Sequence, residues 1–146
     1  MEKIKIYLDN CCFNRPYDDQ GNLVIFLETE AKLFIQDLIL SGKLMLVWSF
    51  VLDYENNNNP FDERKHSISA WKKLSIIDCN LCDKIINTAR NLLNVGLRQK
   101  DASHIACAIY ANADYFITTD KKILNKSVQG IKLINPIDFV RRYLDE

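Results

Sequence analysis

Four acidic residues stand at places that could do chemistry together. Asp9 ends the apolar run IKIYL, Glu55 lies six residues after Ser49 in SFVLDYE, Asp101 opens DASHIACAIYA, and Asp120 closes YFITT. Carboxylates gathered in one cleft repel, and each raises the pKa of the others unless a cation holds them together. An oxygen-only ligand set, without histidine or cysteine, favours Mg2+ or Mn2+ over zinc. Such a site suits phosphodiester hydrolysis, because hard cations align and acidify a water, neutralise phosphate oxygens and stabilise the leaving alkoxide. Taken singly, each acid has a plainer job: an Asp after a strand is a turn former or helix cap, and Asp101 is a good N-cap or first-turn residue. What separates the two readings is whether the fold brings all of them to one place.

The order of elements says that it does. Short apolar runs alternate with helical patterns: strands at Lys3–Leu8, Leu44–Trp48, Leu74–Asp78, Tyr115–Thr119 and Ile131–Ile134, separated by helices. The helices expected are Val24–Ser41 stopped by Gly42, a short one from Ser49 to Glu55, Pro60–Leu74, Asn80–Leu93 closed by Gly96, Asp101–Ala111 and Pro136–Tyr143. Alternation of this kind predicts an α/β three-layer sandwich, a central, mainly parallel sheet of four or five strands flanked by helices. In a parallel sheet the strands' C-terminal ends share one edge, the usual ligand site. Asp9 and Asp120 follow strands directly, and Glu55 and Asp101 lie near helix starts on that edge. Asp114, at the other end of YFITT, belongs to the opposite edge.

At 146 residues the chain is long enough for one core, and a single domain over 1–146 is expected. No run approaches a membrane span and MEKIKIYLDN lacks a signal-peptide core, so a soluble, cytoplasmic protein is expected. The 19 basic and 19 acidic residues cancel, so no bulk positive field draws in nucleic acid, unless acids gathered at a metal hide a basic rim from the total. Five cysteines, an odd number, read as reduced thiols. Cys79 and Cys82 form one C-x-x-C with no second copy, and Cys11 and Cys12 are expected to pack as small apolar side chains.

The segments YLDN, SFVLDYE and DASHIACAIYANADYFITTD resemble the PIN-domain nucleases over nearly the whole chain, the last segment being the most specific. The resemblance implies a metal-dependent endoribonuclease in which Asp9, Glu55, Asp101 and Asp120 hold Mg2+ or Mn2+, supported by Asn10, Ser49 and Thr118. Many members are VapC-like toxins silenced by an antitoxin protein that covers the acidic cleft. The partners expected are thus an RNA, single-stranded or looped, an antitoxin and a second copy of the chain as a homodimer. One departure is that Asn10 and then Cys11 follow Asp9, where the family often has a hydroxyl residue.

Around these residues stand further candidates. Arg15 in NRPY either reaches a substrate phosphate or pairs with Asp18 or Asp19. Lys121, with Lys122, either joins a basic rim for the RNA backbone or is simply solvated. His104 is read as a packed or capping residue, Trp48 as core, and Trp71, Tyr54 and Phe61 as possible stacking surfaces. The alternative function is a PIN-like module that binds a cation or partner and cleaves nothing. A phosphoryl-acceptor receiver domain is disfavoured because Asp9 lacks a tandem acid and the second strand ends in Trp48 and Ser49. A D-x-D phosphatase is excluded because Cys11 stands two places after Asp9.

Overall fold

The apolar run Ile4–Leu8 becomes the central strand of the sheet because its neighbours on both sides and both faces bury it: Ile6, Tyr7 and Leu8 are fully buried. The computed structural model describes residues 3–145. In chain order the elements are β1 (Ile4–Leu8), α1 (Asn10–Asn14), a 3-10 turn (Arg15–Tyr17), α2 (Leu23–Leu40), β2 (Leu44–Ser49), α3 (Phe50–Asn57), α4 (Asp62–Lys72) and β3 (Ser75–Cys79). There follow α5 (Asp83–Leu93), α6 (Gln99–Tyr110), β4 (Tyr115–Ile117), α7 (Lys121–Leu124), β5 (Lys132–Ile134) and α8 (Pro136–Asp145).

All paired strands are parallel, in the order β3-β2-β1-β4-β5, with helices flanking the sheet as an α/β sandwich. The chain winds outward from β1 in one direction through β2 and β3, then crosses to the other side for β4 and β5. The order therefore reverses between β1 and β4, and a cleft at their C-terminal ends is what that geometry creates. Leu8 pairs with Ile117, and the Asp9 amide donates to the Ile117 carbonyl at 2.9 Å. Asp9 and Asp120 consequently leave adjacent strands at the same edge. Asp114 stands at the opposite edge, as expected, where its carboxylate accepts from the Lys5 amide at 2.8 Å.

Helices α2 and α8 pack together, as do α5 and α6. The small residues of α6, Ala102, Ala106, Cys107 and Ala108, are all fully buried and let that helix approach the sheet closely. Trp48 is core, its indole N–H donating to Asp53 at 2.9 Å. Among the described residues no helix is long and apolar enough to cross a membrane.

Three short elements, α1, the 3-10 turn and α7, carry no periodic signature in the sequence. Helix α1 begins immediately after β1, with Asp9 as its N-cap, and the 3-10 turn holds Pro16 at its start. Helix α6 starts two residues before Asp101, so Asp101 is a first-turn residue and Arg98 takes the N-cap position. Gly42 does end α2: its φ is +75° and the Lys43 amide reaches back to the Leu38 carbonyl at 2.8 Å. Gly42→Ala is expected to destabilise the protein by about 1 kcal/mol, read as a lower urea midpoint at unchanged slope.

Candidate metal centre

Asp9 is held through both of its carboxylate oxygens. Its Oδ1 accepts from the Asn10 amide at 2.8 Å, as the cap of α1, and its Oδ2 accepts from the Thr118 hydroxyl at 2.7 Å. Thr118, fully buried one residue past β4, also accepts from the Asp120 amide at 3.1 Å, so one hydroxyl ties the two strand-end acids together. Asp120 in turn caps α7 through the Lys122 amide at 2.9 Å. One cleft is lined by Asp9, Asn10, Cys11, Glu55, Arg98, Lys100, Asp101 and Asp120, so all four predicted acids do meet.

Their electrostatics show the proximity. Burial pushes the Asp101 carboxyl above its usual range, and the charges of Asp9 and Asp120 push it further. For Glu55 burial also pushes upward, but contact with His104 and the nearby Lys100 more than offset it, leaving that carboxyl below its usual range. The cationic partners are loose: Arg98 lies 3.8 Å from Asp101 and Lys100 3.6 Å from Glu55, and both basic side chains are well over half exposed. Exposed pairs of this length contribute little and yield readily to a divalent ion.

His104 is buried, as expected, but it is also part of the site. Its Nε2 contacts Glu55 Oε1 and lies 3.8 Å from Asp9 Oδ1. Its Nδ1 sits 2.6 Å from the Tyr7 hydroxyl, which is itself 2.6 Å from Ser49 Oγ. The Nε2–H tautomer satisfies the whole chain: Ser49 donates to Tyr7, Tyr7 to His104, and His104 to Glu55, while Ser49 Oγ accepts from the Leu52 amide at 3.3 Å. Ser49 therefore supports Glu55 from two residues away. Tyr7 and His104 escaped the sequence reading as site residues, the only signal being that His104 lies three places after Asp101 on one helix.

Cys11 and Cys12 both pack on the core as expected, and Cys11 also joins the site. Because α1 starts at Asn10, the adjacent cysteines diverge around a helix. Cys12 turns into the core, whereas the Cys11 thiol reaches Asp9 Oδ2 at 3.5 Å and Thr118 Oγ1 at 3.4 Å. The cleft is thus not free of histidine and cysteine, although its outward-facing donors are dominated by carboxylate oxygens.

Asn10 donates to Glu55 Oε2 at 3.3 Å, while its Oδ1 is buried and has no hydrogen-bond partner. A buried carbonyl oxygen without a partner, on a residue of the cleft wall, is a polar group that a bound cation or its hydrating water would satisfy if it reached behind the Asn10 amide. Ligand-type atoms of Asp9, Glu55 and His104 lie within 4.8 Å of one another; with Nε2 carrying its proton toward Glu55, His104 orients that carboxylate, while Asp101 and Asp120 line the same cleft outside this close group. The carboxylates present therefore fit a metal ion.

Arg15 does not face the cleft as a free cation. Its guanidinium is held by Glu28, at 2.8 Å, and by Asp18, at 3.0 Å, fastening the 3-10 turn to α2. Of the two readings of Arg15, pairing with Asp18 is the one observed. Lys121 is exposed, and Lys122 with Arg98, Asn125 and Lys126 lines a second cavity adjoining Asp101. The five cysteines are free, and the Cys79 thiol donates to the Cys107 carbonyl at 3.5 Å inside the protein.

No family model matches the chain, and no curated protein does. Among solved structures the chain is similar to one in the crystal structure of VapBC2 from Rickettsia felis bound to a DNA fragment from their promoter. The TM-score is 0.58 and the identity 17%, over 90% of this chain and 98% of that one. That likeness is one of fold.

Proposed function

We propose that the protein is an endoribonuclease dependent on Mg2+ or Mn2+, with Asp9, Glu55, Asp101 and Asp120 as the ligand-bearing carboxylates. The observation that carries this reading is the convergence of those acids, from four separate elements, on one cleft. When bound, the cation supplies Lewis acidity toward the phosphate and a more acidic water. The chain's own residues set the geometry: Thr118 and Asn10 fix Asp9, the Ser49–Tyr7–His104 chain fixes Glu55, and the Asp101 carboxyl, raised by burial and by the charges of Asp9 and Asp120, gains from a counter-charge. Arg98, Lys100 and Lys122 at the rim are placed to meet the substrate's phosphates.

An antitoxin partner is part of the same reading. It is supported by the fold likeness to a chain of a VapBC complex and by the apolar start of α2, where Leu23 and Val24 are 69% and 56% exposed. A homodimer and a cytoplasmic location are proposed alongside it.

The test is cleavage of matched single-stranded RNA and DNA oligonucleotides in Mg2+ and in Mn2+. RNA is expected to be cut at least about tenfold faster than DNA, which corresponds to about 1.4 kcal/mol of discrimination at the transition state. Cation binding without turnover on either polymer would instead identify the non-catalytic module.

A further inference from the structure

Core packing does not explain the exposed aromatic residues beside α1. Phe61 is 52% and Tyr17 40% exposed, and the Arg64 guanidinium lies over both rings, 3.9 Å from the Phe61 centroid and 4.8 Å from that of Tyr17. Arg64 forms no ion pair among the described residues, so its charge is balanced only by the two π faces. Three flat surfaces, from the 3-10 turn, the α3–α4 connection and α4, therefore stand stacked at the surface. A cation–π contact left in water stabilises a fold only weakly. The arrangement makes more sense as a binding surface.

A strip of asparagines joins this stack to the acidic cleft. Asn10 lines the cleft, and Asn14, one turn along α1, donates to the Asn10 carbonyl at 3.0 Å. Asn59 donates to Asn14 Oδ1 at 3.4 Å and accepts from the Phe61 amide at 3.1 Å. The strip runs from the carboxylates to the rings over uncharged polar groups, which do not repel a polyanion. Asp62 and Glu63, on the first turn of α4, do oppose phosphate, so the stack is suited to bases rather than to the backbone.

We infer that Tyr17, Phe61 and Arg64 form a platform on which unpaired bases of single-stranded RNA stack, to one side of the bond that is cut. Aromatic rings and guanidinium planes both take up base faces, and those faces are available only where a strand is unpaired. The inference rests on the nuclease reading for its substrate, but it is measurable without cleavage.

The experiment combines anisotropy of a fluorescent single-stranded RNA with Asp101→Asn protein, so that nothing is cut, and steady-state kinetics in the Asp101 background. Phe61→Ala and Tyr17→Ala are each expected to weaken RNA binding and raise KM by about tenfold, with kcat moving by no more than about twofold. Phe61→Trp should restore both. Tyr110→Ala is the control: it removes a 45% exposed ring also paired with a lysine, but at the end of α6 roughly 13 Å from Asp101. Binding and KM within twofold of the parent in both alanine variants, with native circular dichroism, would overturn the platform. So would a change of oligomeric state in Phe61→Ala with RNA binding intact, which would assign the rings to a protein contact. Wild-type protein that cleaves no RNA while its binding still depends on Phe61 would defeat the nuclease reading and leave the platform standing.

Discussion

Asp101→Asn should abolish cleavage and stabilise the protein. The expected loss of activity is at least about a thousandfold, or about 4 kcal/mol of transition-state stabilisation, because a carboxylate facing the cation is replaced by a neutral amide. The gain in stability follows from the metal-free electrostatics. A carboxyl whose pKa in the folded state lies above its unfolded value favours folding while protonated, and that contribution is lost as pH rises through the folded pKa. Asp101 is such a group, raised by burial and by Asp9 and Asp120, so at neutral pH its charge works against the fold. Asparagine keeps the shape and removes the charge. A rise in Tm of about 2–4 °C is expected without added metal at neutral pH, shrinking as the buffer is acidified. Differential scanning fluorimetry across pH, beside the cleavage assay, reads both. A variant that is equally active, or one destabilised at neutral pH, would mean that Asp101 is a structural cap.

Thr118→Val should leave the fold recognisable and the site slack. The two side chains are nearly the same shape, but valine lacks the hydroxyl that donates to Asp9 Oδ2 and accepts from the Asp120 amide. Loss of such an orienting partner typically weakens metal affinity or activity about 10–100-fold, and the stranded buried groups cost about 1–3 kcal/mol of stability. Thr118→Ser keeps the hydroxyl and should recover most of the activity. If the role is orientation, raising the Mn2+ concentration should restore part of the valine variant's rate; equal rates in valine and serine variants at every concentration would rule that role out.

The positions of Asp9 and Asp120 were readable because each ends an apolar run, and a parallel sheet sends all such ends to one edge. Their closeness depended on β1 and β4 being neighbours, a topological fact that the pairing of Leu8 with Ile117 supplies. Glu55 and Asp101 were readable for the related reason that helices begin at that edge. Tyr7 and His104 were not, because their hydrogen bond joins residues 97 apart in sequence and no periodicity marks it. The contacts of the Cys11 thiol with Asp9 and Thr118 were not legible because α1, only five residues long, is too short to show a helical repeat. Arg15 was ambiguous since one of its partners, Glu28, lies on a different element. Local chemistry was legible, and pairing across elements was not.

The central claim is that Asp9, Glu55, Asp101 and Asp120 hold one divalent-cation site. It is tested most directly by titrating Mn2+ calorimetrically into wild-type protein and into the Asp9→Asn and Asp101→Asn variants. The expected result is saturable binding to the wild type, displaced by Mg2+, with affinity at least about tenfold weaker in each variant. Equal Mn2+ affinity in all three proteins, or none in the wild type, would contradict it.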